Sequence, residues 1–173
     1  KNFKSIDILI NNIGNGNPYK SALKLRTTEI EKSMRINFLS PLFIIFQIIN
    51  NKSRIKKKLN IINISSNTIK FYGSDNNLPY LVSKNALEIA LLNLSKTYSR
   101  KLIKINIIRP GLIDSNIKIK VKNYTQKRFA KRKKLIPIGE AGHPEDVSSL
   151  VNFLISKKSK FIIGQIFTVS GGE

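Results

Sequence analysis

Residues 59–66 read Leu59-Asn60-Ile61-Ile62-Asn63-Ile64-Ser65-Ser66. A short run dominated by isoleucine and closed by two serines is the pattern of a strand buried on both faces of a parallel sheet. The segments on either side repeat the theme. Downstream, residues 79–101 have helical periodicity with Pro79 in the first turn, where its missing N–H costs nothing. Residues 103–109 then form another apolar run, stopped by Pro110-Gly111. Upstream, residues 7–10 form a short strand ending at Asn11-Asn12-Ile13-Gly14, and residues 27–49 are helical, with Thr27 or Thr28 placed to cap them. Beyond a basic, loosely helical stretch at 116–134, His143-Pro144-Glu145-Asp146 opens a helix, with acids where the helix dipole favours them. Residues 162–169 make the last strand, closed by Ser170-Gly171-Gly172-Glu173. Four strands alternating with helical segments predict an α/β fold: about four parallel strands of a doubly wound, Rossmann-like sheet with flanking helices, joined by crossovers of the right-handed kind.

Composition narrows the class. A chain of 173 residues can bury one real core, and its 41% hydrophobic content is that of a globular domain. With no cysteine and one histidine, disulfides and thiolate or multi-histidine metal sites are excluded, so no metal is expected. The longest apolar stretch, residues 36–49, is shorter than the roughly 20 residues a membrane span needs and is interrupted by Asn37, Ser40, Pro41 and Gln47. It reads as a buried helix rather than a membrane anchor, and a cytoplasmic location is expected. The formal net charge of +21 admits two readings. It could attract an anionic partner, or it could record a coding bias, because lysine, isoleucine and asparagine are enriched together. The few, scattered aromatics and the absence of a nucleic-acid motif argue against a nucleic-acid-binding protein.

Tyr80 and Lys84 stand at i and i+4 on the predicted helix 79–101, so they share a face. A nearby ammonium favours phenolate and suits the phenol to moving a proton on an alcohol–ketone pair. Alone this pair is weak in so lysine-rich a chain. Its context is specific, because Asn11-Asn12-Ile13-Gly14, Asn37, Ser65-Ser66 and Pro110-Gly111 all fall at C-terminal strand ends or on neighbouring helices, where a parallel α/β sheet places its ligand.

In this order and spacing the set resembles the short-chain dehydrogenase/reductase family over residues 7–173. The resemblance implies an NAD(P)(H)-dependent oxidoreductase interconverting a ketone and a secondary alcohol, with NADPH preferred. A 3-oxoacyl thioester on acyl-carrier protein is the leading substrate, and a sugar or other small molecule the alternative. It implies that Tyr80 is the acid/base, that Lys84 lowers the phenol pKa and holds the nicotinamide ribose, that Ser66 positions the substrate oxygen, and that Asn37 anchors a water behind Lys84. Asn11 and Gly14 would flank the adenosine, while Pro110, Gly111 and Ser115 would grip the carboxamide. A homodimer or homotetramer is expected through helices 27–49 and 79–101.

Three departures qualify the match. Ile13 replaces a smaller alanine of the family motif. The interval from Ser66 to Tyr80 is one residue longer than is commonest, which keeps Ser65 as an alternative to Ser66. The family's glycine-rich turn is absent, and Gly14-Asn15-Gly16 is not it. That turn belongs to the first βα unit, so the resemblance implies a single partial domain, with roughly 70–80 residues of cofactor-binding βαβ structure outside this sequence and an open first strand. The basic residues of 118–134, from Lys118, Lys120 and Lys122 through Lys127, Arg128, Lys131, Arg132, Lys133 and Lys134, fall where the family carries a substrate lid. They suit an acidic substrate or are solvated surface. Residues 54–58 form a second basic run, read as surface, and His143 as a helix-start residue.

Overall fold

Ile61 lies at the centre of the sheet, paired with Leu9 on one side and Ile105 on the other. The computed structural model describes residues 5–16, 21–51, 58–73, 76–101, 103–115 and 126–173, with the side chains of Lys101 and Arg128 outside that set. Four strands, β1 (Ile8–Asn11), β2 (Leu59–Ile64), β3 (Ile103–Pro110) and β4 (Ile166–Val169), pair in sequence order, all parallel. This is the predicted α/β class. The last strand is shorter than the 162–169 expected, because residues 162–165 approach β3 through single bonds such as Gly164 N–H to the Ile105 carbonyl before ladder pairing begins.

Alternation along β2 and β3 explains the two layers. Leu59, Ile61, Ile103, Ile105 and Ile107 face one way and pack with Ile45, Ile48, Leu87 and Leu91. Ile62 and Ile108 face the other way and pack with Val151 and Leu154. The first layer is made by α2 (Ser40–Asn50) and α3 (Leu78–Tyr98), the second by α5 (Pro144–Ile155), while α4 (Gln126–Lys133) lies over the strand ends. Ile8 and Ile10 on β1, the edge strand of the sheet, are exposed.

The helix foreseen at 27–49 starts on time but not with the predicted cap. The Glu29 carboxylate accepts the Arg26 backbone N–H at 2.9 Å, closing the first turn of α1 (Thr27–Met34) from inside the helix instead of from Thr27 or Thr28. It continues through a π-turn, Arg35–Leu39, into α2. The continuous helical span Thr27–Asn50 is therefore 24 residues, long and apolar enough to cross a membrane by length and composition, contrary to the shorter apolar stretch read from the sequence. Here it covers a sheet, with Asn37, Pro41, Ile45 and Ile48 buried. His143 starts α5 as expected, its N–H held by the Asp146 carboxylate at 2.7 Å. Residues 116–125 and 52–57, which include Lys118, Lys120, Lys122 and most of the second basic run, lie outside the described residues.

Candidate functional site at the strand ends

A cavity of about 630 Å³ opens at the C-terminal ends of β1–β3. Ser65, Ser66, Tyr80, Pro110, Gly111 and Ser115 all line it. The chain brings five of the sequence-predicted residues together here, from three segments far apart in sequence. Ser66 arrives just past the end of β2, Tyr80 on the first turn of α3, Pro110 as the last residue of β3, and Gly111 and Ser115 just after it.

Ser66 starts a short turn over Asn67–Ile69, its hydroxyl accepting the Thr68 N–H and sharing a short hydrogen bond with the Thr68 hydroxyl. It lines the same cavity as the Tyr80 phenol. Burial pushes the phenol above its ordinary value, with the nearby Ser66 hydroxyl acting in opposition. That differs from the sequence expectation, in which Lys84 supplied the lowering. The reason is geometric: the ammonium of Lys84 donates to the Ile13 carbonyl at 2.8 Å and the Ile64 carbonyl at 3.0 Å, at the ends of β1 and β2. Lys84 is only 2% exposed, and burial draws its pKa down from 10.5 to about 8, with Glu88 acting in opposition.

Gly14 lets the turn after β1 close over Lys84, and Gly16 brings it beside the Tyr80 ring. A Cβ on Gly14 would lie 3.0 Å from both Cε and Nζ of Lys84, and one on Gly16 would touch the Tyr80 ring at 3.4 Å. Gly111 is required more strictly. A Cβ there would come within 2.9 Å of the Ser170 backbone, so only glycine lets the ends of β3 and β4 approach, with Gly111 N–H bonded to the Val169 carbonyl at 2.9 Å.

Asn37 and Asn11 act away from the cavity. Asn37, fully buried in the π-turn, spends its whole amide: the oxygen accepts Asn15 N–H at 2.8 Å, and the nitrogen reaches the Asn15 carbonyl, Ser33 and Ser83 at 3.0–3.1 Å. A π-turn, common at functional sites, brings this one side chain to face the loop. Asn11 is buried within the sheet, donating to the Asn63 amide oxygen at 2.5 Å. The neighbouring Asn12 lines the cavity instead.

Sequence reasoning missed several contributors. Arg132, on α4, lines the cavity and pairs with Glu173 at 3.3 Å, one of nine basic residues with nothing to single it out. Ser148 and Asn152 line it from α5, where a polar i, i+4 pair beside Val147 and Val151 was a legible signal. Among the described residues the Ser65 hydroxyl is buried, lines the cavity and has no hydrogen-bond partner. An orphaned hydroxyl on a wall shared with Ser66, Tyr80, Pro110, Gly111 and Ser115 fits a polar ring such as a nicotinamide and its carbonyl partner.

A family model described as enoyl-(acyl carrier protein) reductase matches residues 1–173. The 3-oxoacyl-acyl-carrier-protein reductase FabG of Buchnera aphidicola subsp. Schizaphis graminum is 32% identical over 168 residues, 97% of this chain and 66% of that protein. The protein of the same description from Rickettsia bellii is 33% identical, covering 98% of this chain and 68% of its own. Among solved structures, the angucycline C-6 ketoreductase LanV with bound NADP superposes with a TM-score of 0.84 at 26% identity, over 97% of this chain and 62% of that one. A 4-hydroxyisoleucine dehydrogenase complexed with NADH superposes with a TM-score of 0.81 at 25% identity, over 96% and 68%. The chain thus spans about two thirds of the length of the curated relatives it matches. A match over every residue, together with relatives about one third identical over nearly the whole chain, places this chain in the short-chain dehydrogenase/reductase family.

Proposed function

We propose that the protein, at the full length its relatives have, is an NAD(P)(H)-dependent oxidoreductase that interconverts a ketone and a secondary alcohol. Its leading substrate is a 3-oxoacyl thioester borne by acyl-carrier protein, and its cofactor NADPH. The observation that carries this reading is that the Ser66 hydroxyl and the Tyr80 phenol line one cavity at the strand ends, with the Lys84 ammonium locked one helical turn away. Two adjacent hydroxyls suit a carbonyl oxygen better than a carbon–carbon double bond, because each can donate to the charge that develops on oxygen. The cofactor, when bound, supplies the hydride. Tyr80 supplies the proton at its phenol oxygen, staying protonated in its buried setting until oxygen becomes basic. Ser66 holds the substrate oxygen. Lys84 keeps positive charge beside the ribose and the proton path, and Asn37 fixes the turn at Gly14–Gly16 against Lys84 and Tyr80. Pro110, Gly111 and Ser115 would seat the carboxamide, with Ser65 as a further donor.

The likeness to an angucycline ketoreductase favours a second reading, a dehydrogenase of a sugar or other small molecule. The domain reading carries over as a proposal: the strand β1, with Ile8 and Ile10 exposed, would be covered by βα units outside these 173 residues. The self-association reading rests on Phe43 on α2 and Ile89 on α3, each 62% exposed, large apolar side chains that a second copy would cover. A cytoplasmic setting goes with an acyl-carrier-protein substrate.

The test is NADPH oxidation by the full-length protein with a 3-oxoacyl thioester. Turnover abolished in Tyr80→Phe is the expected result. Absence of turnover in the wild type, or unchanged turnover in the variant, would defeat the assignment.

A further inference from the structure

Glu88 is a carboxylate with 1% exposure on the helix that carries Tyr80 and Lys84. Burying an ionised group is costly unless it is paired and hydrogen-bonded. Its partner comes from another element: Arg109, near the end of β3, donates from Nε at 3.0 and 3.2 Å and from Nη2 at 2.5 Å to the two carboxylate oxygens. This fork geometry fixes both groups.

Two positional facts give the pair a consequence beyond stability. Glu88 is four residues past Lys84, so their side chains share a face of α3. Arg109 immediately precedes Pro110-Gly111, which line the cavity. The ion pair therefore joins the helix that carries Tyr80 to the strand end that lines the same cavity.

We propose that Glu88 and Arg109 form a positioning pair for the reaction, in which Glu88 supplies the counter-charge for the buried Lys84 ammonium and Arg109 ties the Pro110-Gly111 turn to the catalytic helix. This rests on the oxidoreductase reading above. Among the described residues, the other groups around Lys84 do not offer that charge. Its direct partners are the neutral carbonyls of Ile13 and Ile64, and Gly14 and Asn37 bring none. Tyr80 carries its proton at neutral pH, as burial raises its pKa. On α1, Glu29 pairs with Arg26, while Glu31 and Lys32 are exposed. Burial lowers the Lys84 pKa to about 8, and Glu88 is the group that opposes the fall. Lys84 thus titrates just above neutrality, where loss of its charge would be felt by an enzyme at work.

The experiment uses full-length protein with lysine labelled at Cε. The Lys84 signal, identified by its loss in Lys84→Met, is titrated by NMR beside a pH profile of kcat. In Glu88→Gln the midpoint should fall by about 1 to 2 pH units, and the alkaline limb of kcat should move with it. Because Glu88→Gln leaves Arg109 charged and unpaired, Glu88→Leu/Arg109→Met serves as a second variant, an apolar pair that preserves packing. Its shift should be smaller, since Arg109's charge leaves too, but of the same sign. Arg109→Lys, which keeps the charge but not the fork, should leave the midpoint near that of the wild type while raising KM for the cofactor. A midpoint unmoved in a folded Glu88 variant overturns the proposal whatever the turnover. If the wild type turns over no ketone while the midpoint still shifts, the oxidoreductase reading fails instead, and the counter-charge stands without its role in a reaction.

Discussion

Gly14 faces Lys84 so closely that one added methyl group would stand 3.0 Å from the ammonium nitrogen. The contact is with the far end of a flexible side chain, so the fold can yield where the chemistry cannot. Gly14→Ala should leave the melting temperature nearly unchanged, with a stability loss below about 1 kcal/mol, while lowering kcat by about 10- to 100-fold through displacement of Lys84. Equal turnover in the variant, measured by NADPH oxidation, would show that the ammonium position is unimportant.

Ser66 and Ser65 share the cavity wall but differ in partners. Ser66 is engaged with Thr68, whereas Ser65 is unpaired among the described residues. Ser66→Ala should lower kcat by about 10² to 10³, the usual cost of one donor to a developing oxyanion. Ser65→Ala should act chiefly on KM, by less than tenfold. A larger kcat loss in Ser65→Ala would exchange their roles.

Asn37 satisfies both the N–H and the carbonyl of Asn15 and two serine hydroxyls on α1 and α3. Asn37→Ala orphans the two Asn15 backbone groups, while Ser33 and Ser83 keep their bond to each other, and a loss of about 1–3 kcal/mol in urea unfolding is expected. Wild-type stability in the variant would mean that the Gly14–Gly16 turn is held by something else.

The lowered pKa of Lys84 makes stability depend on pH. Between about 8, the folded value, and 10.5, the unfolded value, the unfolded chain keeps a proton that the folded chain releases. Stability contributed by this group therefore rises with pH across that window. Measured against Lys84→Met, wild-type stability should gain up to about 3 kcal/mol from pH 8 to 10.5, at about 1.4 kcal/mol per pKa unit. The comparison removes the shared contribution of Tyr80, whose raised pKa works in the opposite direction above pH 10. A pH-independent difference would contradict the buried position of the amine.

Phe43→Asp and Ile89→Asp should each convert an assembled protein to monomers in sedimentation equilibrium without loss of helical content, since both side chains point outward from covering helices. An unchanged mass would place the contact elsewhere.

Most of the fold was written in local patterns. Isoleucine-rich runs at 59–64 and 103–109 announced doubly covered strands because burial on two faces removes polar alternation, and Pro79 and Pro144 marked helix starts because proline lacks the N–H that a first turn leaves unpaired. Glu29 took over the cap of the first long helix because its carboxylate can fold back to the Arg26 N–H, a choice between equivalent local options.

The sequence by itself determined the parallel α/β class, the order of its elements and the residue types at the rim, since these depend on periodicity and chain-adjacent signals. Only the tertiary structure decided how those residues are used. It turned Asn11 into the sheet toward Asn63, gave Asn37 to the Asn15 backbone, seated Lys84 on two carbonyls, and matched Glu88 with Arg109 across 21 positions. Each of these is a pairing of polar groups distant in sequence, selected because burial left every one of them needing a partner, and no spacing along the chain records which partner the packing will bring.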